Sequence, residues 1–356
     1  MCDIKTGVEL ELWVVDDNGR LADGSEIVAA HEQIKPEFID PLVEVQTEPH
    51  EDEFGLRRDL ETTLRTGVRV AEKHDKQLVP LGTPLTSSNT QANCKRGELF
   101  EEIYGDGVQS AKNCAGTHIH FQKGSVIDQL NLLTALDPAL ALLNSSPYYC
   151  SEAGDSSSRA RAYRTKCGQE FQQFCELWPY AGSLQEWTDR VDQAYNHFKD
   201  LASSRGVSAA KVDELFEAEN TVLNPVRLRR CQPTVEWRAP DAALPSEVIQ
   251  LAVDVGELVS QTGEKPLAHG HHGVYSDRIG VPEFPSLREL SQEAIHSGLE
   301  STAVVTYLRK MGFDPSEYDP IAPEFSGPPV LGELSARKIR LQQASKLRQD
   351  IKAIAV

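Results

Sequence analysis

Four short stretches, far apart in the chain, alternate between apolar and polar residues: GVELELWVV, PLVEVQTEP, AGTHIHFQ and PTVEWRAP. A period of two is that of a β-strand, whose successive side chains point to opposite faces. One face of these predicted strands is apolar, with Leu10 and Leu12, Val43 and Val45, Ile119 and Phe121, and Val235 and Trp237. The other carries Glu9 and Glu11 beside Trp13, then Glu44, Gln46 and Glu48, then His118 and His120, and last Thr234, Glu236 and Arg238.

Between these stretches the period lengthens to that of a helix. Residues 53–74 place Leu56, Leu60, Leu64 and Ala71 on one stripe. The first strand turns at Asp17-Asn18-Gly19, a hairpin signal. A short strand is predicted over 78–81, a short helix over 97–104, and a buried helix over 126–143 that Pro138 interrupts. Ser183 with Glu186 spells a capping box for a helix to 203, and Ser286 with Glu289 spells another. Pro245 opens an apolar helix to 259. Residues 334–356 form a basic amphipathic helix, with Leu341, Ala344, Leu347, Ile351 and Ile354 on one face, that reads as a packing or dimer helix. Residues 150–168, rich in Ser, Gly, Asp and Arg, show no period and read as a functional loop. Strands separated by helices of varied length, with hairpin-type turns, predict an α+β fold around an antiparallel sheet, as a single domain over 1–356.

Composition narrows the function classes. At 356 residues and 40% hydrophobic, the chain can bury a substantial core. No apolar run approaches the length of a bilayer span, and the opening MCDIKTGVEL lacks signal-peptide character, so a cytoplasmic protein without membrane partners is expected. A net charge of −18 opposes non-specific nucleic-acid binding and fits either an ordinary acidic enzyme or a halophilic source. The seven cysteines (Cys2, Cys94, Cys114, Cys150, Cys167, Cys175, Cys231) form no CxxC pair, which predicts reduced thiols.

The polar strand faces carry the chemistry. Taken singly, each is what a solvated strand face or a surface ion pair looks like. Together, carboxylates and imidazoles at alternate positions on four strands predict a shared metal and phosphate site. A set rich in carboxylates with few imidazoles favours Mg²⁺ or Mn²⁺ over zinc. Arg159, Arg161 and Arg164, and then Arg227, Arg229 and Arg230, add guanidinium forks that match phosphate or carboxylate. Neither a GxxxxGK[ST] loop nor a dinucleotide glycine pattern is present, so a bound ATP would be held by metal in a sheet cleft. His269, His271 and His272 in AHGHHG, taken with His118 and His120, define the alternative of a zinc hydrolase.

In this order the motifs resemble the carboxylate–amine ligase, or glutamate–cysteine ligase type 2, family. GVELEL is similar to its Gly-[Ile/Val]-Glu-x-Glu strand, PLVEVQT to its second acidic strand, LVPLGTP to its strand ending in Gly-Thr-His-Pro, and GTHIHF to its Gly-x-His-[Val/Ile]-His strand. LLNSSPYYC with SSSRARAYR resembles its Ser-Pro-aromatic segment, and PTVEWRAPDA its Thr-[Val/Ile]-Glu-x-Arg strand. The resemblance spans about residues 6–260, and the acidity fits a haloarchaeal member. It implies a glutamine-synthetase-like fold, a curved antiparallel sheet forming a funnel with flanking helices. It implies ATP- and Mg²⁺-dependent joining of the γ-carboxylate of glutamate to an amine, most often that of cysteine, through an acyl phosphate. By motif position, Glu9, Glu11, Glu44, His118 and Glu236 would hold the metals. Arg238 would meet ATP phosphate, and Arg159 a phosphate or a substrate carboxylate. Beside the resemblance, His120 and Arg227 are expected to contact the nucleotide. Two departures stand out: Pro84-Leu85 replaces His-Pro, and LNPVRLRRCQ is unusually basic before the last strand. The helical part over 286–356 has no counterpart in the resemblance.

Overall fold

The computed structural model describes residues 4–88, 90–230, 232–325 and 327–355, so Cys2 and Cys231 lie outside the described residues. The four alternating stretches are neighbours in one seven-stranded antiparallel sheet. Its strands are β1 (Thr6–Asp16), β2 (Ile34–Pro36), β3 (Leu42–Gln46), β4 (Lys76–Val79), β5 (Thr117–Gln122), β6 (Val226–Leu228) and β7 (Thr234–Trp237). The spatial order is β2-β3-β1-β5-β7-β6, with β4 also paired to β1. The sheet is open among the described residues; β2 and β6 end it without pairing to each other.

The eleven residues of β1 make it the spine. One edge takes β3, with Glu9 opposite Gln46 and Glu11 opposite Glu44. The other edge is shared, by β5 over Thr6 to Leu10 and by β4 over Trp13 to Asp16. Trp13 therefore turns into the interior, where its indole N–H donates to the Leu81 carbonyl at 2.9 Å.

The apolar face of the sheet is buried as the alternation requires: Leu10, Leu12, Val45, Phe121, Val235 and Trp237 are fully enclosed. It packs on α1 (Glu53–Lys73), α3 (Val126–Ala135) and α6 (Pro245–Gln261). Before α3 comes α2 (Lys95–Tyr104), and α4 (Ser158–Thr165), α5 (Leu184–Ser204), α7 (Phe284–Ser297) and α8 (Glu333–Ala353) complete the helices used below. A second, smaller core of Phe100, Tyr104, Phe171, Phe174, Phe198 and Phe216 joins α2 to α5.

Two expectations need correction. Residues 158–165 form α4 instead of a loop; Ser157 caps it by accepting from the Ala160 N–H, and its buried side is small residues with Arg159, which a hydrophobic period cannot reveal. Ser286 is not a cap, because α7 starts at Phe284 with Pro285 in its first turn, where a missing N–H costs nothing. Residues 267–281 hold a small three-stranded sheet (Leu267–His269, Gly273–Val274, Ile279–Val281) around the histidine-rich turn.

The interrupted helix at Pro138 is seen as α3 followed by a 3-10 helix over Asp137–Leu143, all of that second piece buried. The last helix buries Ala344, Leu347 and Ile351, and also a whole guanidinium: Arg340 donates to the carbonyls of Pro84 and Gly19. No single helix among the described residues is long and apolar enough to cross a membrane.

Candidate functional site

Residues directly opposite in an antiparallel pair share a face. Glu9 faces Gln46 on one side and His118 on the other, His120 faces Glu236, and Glu236 faces Arg227. Register alone thus gathers Glu9, Glu11, Glu44, Gln46, His118, His120, Glu236 and Arg227 onto the polar face.

The contacts are close. His118 Nδ1 lies 3.1 Å from Glu9 Oε2 and 3.9 Å from both Glu44 Oε2 and Glu236 Oε1, and its Nε2 lies 3.6 Å from Glu11 Oε1. His120 Nε2 lies 3.2 Å from Glu9 Oε1. Three triads hold ligand atoms within 4.8 Å of one another: Glu9, Glu44 and His118; Glu9, His120 and Glu236; and Glu11, Glu37 and Glu44. Arg227 grips Glu236 bidentately at 2.8 and 2.9 Å, and Arg238 Nη1 donates to the same carboxylate at 2.5 Å. Glu236 is fully buried, so this guanidinium pair keeps its charge from standing alone in low dielectric.

The electrostatics divide the hollow in two. At one end, burial would raise Glu236, but Arg227 and Arg238 hold it well below the ordinary carboxylate range. Burial likewise works against Glu9, yet hydrogen bonds from His118 and His120 hold it low. At the other end burial and mutual repulsion outweigh the nearby guanidiniums. Burial, then Glu9, Glu37 and Glu11, push Glu44 well up. Burial and Glu11 push Glu37 up to about 7. Burial raises Glu11 against the opposing charges of Arg159 and Arg238. Burial and Arg238 lower His118 to about 4, which keeps its imidazole neutral and able to ligate.

These observations fit a divalent cation. The Nε2 atom of His118 is buried without a hydrogen-bond partner, and Glu11, Glu37 and Glu44 crowd within reach of one ion with their carboxyls all pushed up. A hard dication on oxygen ligands removes that repulsion. The triads mix carboxylates with at most one imidazole, which suits Mg²⁺ or Mn²⁺. Among the described residues no such triad includes His269, His271 or His272; rings of His269 and His272 pack on Tyr180 and Tyr307.

The hollow opens into a cavity of about 400 Å³, lined by the acids together with Arg96, Arg227, Arg229 and Arg238. It continues past Glu9 and His120 into one pocket, and past Glu11 and Arg238 into another walled by Phe38, Phe100 and Tyr104. Arg159 does not reach the cavity. Its guanidinium sits behind the wall, donating to the carbonyls of Arg238 at 3.3 Å and Ala239 at 3.1 Å. A Cβ on Gly116 would collide with that guanidinium, so glycine there makes room for it. The strand end after Arg238 is fixed further by Asp241, which accepts from Ser157 Oγ at 2.8 Å and the Ser145 N–H at 3.1 Å.

Glu37 and Arg96 were not singled out by the sequence reading. A signal for Glu37 existed: Lys35 lies opposite Glu44 in β2, and Glu37 is two residues on, hence on the same face. Arg96, on the first turn of α2, carried none; it reaches the cavity only because α2 packs over the open face of the sheet.

No family model matches the chain, and no curated protein matches it in sequence. Among solved structures, the glutamate–cysteine ligase of Francisella tularensis in complex with AMP superposes with a TM-score of 0.54 at 14% identity, covering 99% of this chain and 91% of that one. The bifunctional glutathione synthetase of Pasteurella multocida gives 0.49 at 14% identity over 98% of this chain and 52% of its own; the present chain spans about half its length. A glutamine synthase homolog gives 0.36 at 10% identity over 98% of this chain and 70% of its own. At such identities likeness speaks for architecture alone, and only the first score is high enough to carry it. Over nearly its whole length, this chain has the fold of a glutamate–cysteine ligase.

Proposed function

We propose that the chain is an ATP-dependent carbon–nitrogen ligase that joins the γ-carboxylate of glutamate to the amine of cysteine, with all 356 residues acting as one catalytic unit. The observation that carries this reading is the single polar sheet face, where the crowded acids Glu11, Glu37 and Glu44 adjoin Arg227, Arg229 and Arg238 in one cavity. A metal–triphosphate complex has the same two-sided charge, and the shared fold with a glutamate–cysteine ligase agrees with it. The funnel implied by the family resemblance belongs to this reading, the polar face of the sheet being its inner wall.

Glu9, Glu11, Glu44, His118 and Glu236, joined by Glu37, would hold Mg²⁺, which supplies neutralisation of the phosphate charge. In the reaction, a γ-carboxylate oxygen of glutamate attacks the γ-phosphorus of ATP, the bond to the β-phosphate oxygen breaks, and ADP leaves. The amine nitrogen then attacks the acyl-phosphate carbonyl carbon, phosphate leaves with the bonding pair, and the amine proton passes to solvent. The protein's share is positioning and charge. Arg238, held in place by Glu236, directs its remaining donors at transferring phosphoryl oxygens. Arg159 fixes the backbone at 238 and 239 and so keeps Arg238 aimed. His120 and Arg227 flank the nucleotide.

ADP release measured with glutamate, Mg²⁺ and a panel of amines tests the reading, and cysteine should give the highest rate. A different best amine would replace the acceptor and leave the chemistry. ATP-independent hydrolysis by a zinc-loaded protein would overturn it, although AHGHHG contributes no ligand to the described triads.

A further inference from the structure

A second cavity, of about 380 Å³, lies between α4 and α7, apart from the acid-lined hollow. Neither helix presents an apolar stripe there. Helix α4 contributes Arg161 and Arg164, and α7 contributes Arg288, Ser291 and His296. Most of these groups are held from behind. Buried Asp155 binds both Arg161, at 2.9 Å, and His296, at 2.6 Å, while buried Asp137 binds Arg164 at 2.7 Å.

Two charges are not held. Arg288 makes no ion pair or side-chain hydrogen bond among the described residues, and neither does the carboxylate of Glu176 across the cavity. The two do not meet each other either. On the same wall the Ser291 hydroxyl is 1% exposed and has no partner. A buried hydroxyl left unpaired is costly unless something in the cavity completes it. A space of this size holds a small solute, about a dozen waters by volume.

We infer that this cavity binds an α-amino acid as its zwitterion, with the carboxylate on Arg288 and Arg164, the ammonium on Glu176, and Ser291 donating to the carboxylate. A simple anion would leave Glu176 facing it, and a simple cation would face three guanidinium groups; a zwitterion satisfies both ends. Ile295 and Leu177 give the side chain a small apolar floor. This inference does not rest on the ligase reading. Both unpaired charges lie at the protein surface or partly so, and their removal leaves the core untouched.

The test is isothermal titration of the metal-free protein, without nucleotide, using glycine, L-serine and L-glutamine. Acetate and methylamine serve as probes that each carry one of the two charges. The amino acids should bind and the single-charge probes should not. Arg288→Ala and Glu176→Gln should each weaken binding about tenfold or more, the size of a lost charge-assisted hydrogen bond. Arg96→Ala, in the main cavity, should leave binding unchanged. Acetate binding as tightly as glycine, or affinity indifferent to Glu176→Gln, would overturn the zwitterion assignment. Binding lost in Arg96→Ala but kept in Arg288→Ala would move it to the main hollow and refute the site, as would no binding by any of the three amino acids.

Discussion

Replacing Glu37 by glutamine should stabilise the metal-free protein above neutral pH while weakening its response to Mg²⁺. Burial and the neighbouring Glu11 push the Glu37 carboxyl up to about 7, from an ordinary 4.5. Between those values the folded protein binds more protons than the unfolded chain, so stability falls as pH rises through that window. A separation of about 2.5 pH units at ~1.4 kcal/mol each gives a penalty on the order of 3.5 kcal/mol, complete above pH 7. His118 works in the opposite direction. Burial and Arg238 lower it to about 4 from 6.5, so its contribution grows as pH rises from 4 to 6.5 and is constant beyond. Below pH 6.5 the two slopes offset; above it the carboxyls stand alone. Glu37→Gln removes one ionisation and relieves Glu44 and Glu11 as well. In calorimetry with EDTA its Tm should exceed the parent's by a few degrees at pH 8 and converge with it near pH 5. Added Mg²⁺ should raise the parent's Tm at pH 8 more than the variant's, since the cation favours ionised carboxylates. A variant that melts below the parent at pH 8 in EDTA, or keeps the parent's pH slope, would refute the reasoning.

Three further outcomes follow from the site. Glu11→Gln and Glu236→Gln should both abolish ADP formation, but only Glu236→Gln should cost about 3–5 kcal/mol of stability, because it strands buried Arg227 and Arg238; chemical denaturation separates the two. Gly116→Ala should lower kcat with near-native circular dichroism, since the new methyl displaces Arg159 from the carbonyls of Arg238 and Ala239; unchanged turnover would show that this brace does nothing. Ser157→Ala should destabilise by at least about 1 kcal/mol, losing both the α4 cap and the bond to Asp241, with thermal melting as the readout.

The strands, their buried faces and the acids of β1, β3, β5 and β7 were legible because a period of two forces side chains at i and i+2 to one side, and neighbouring strands then align those sides. Glu9, Glu11, Glu44, His118, His120 and Glu236 needed no more than that. What stayed hidden depended on packing between distant segments. Arg96 enters the hollow because the aromatic core around Phe100 places α2 over the sheet. Helix α4 was opaque because its inward side is Arg159, Ala160 and Ala162, with the arginine buried by backbone carbonyls from 80 residues away. Arg159, expected at a ligand, sits one layer back for the same reason.

The two ends of the hollow have opposite electrical character, and the whole molecule carries −18. From a distance, a nucleotide polyanion would meet a repelling surface and find attraction where Arg96, Arg227, Arg229 and Arg238 converge. A complex of nucleotide and dication, itself a dipole, is therefore turned to face the opening before it touches it. Such steering works over about 10 Å in 0.1 M salt and about 3 Å in 1 M. Association should thus speed up at high ionic strength, where the outer repulsion fades, while the orientation imposed inside the hollow persists.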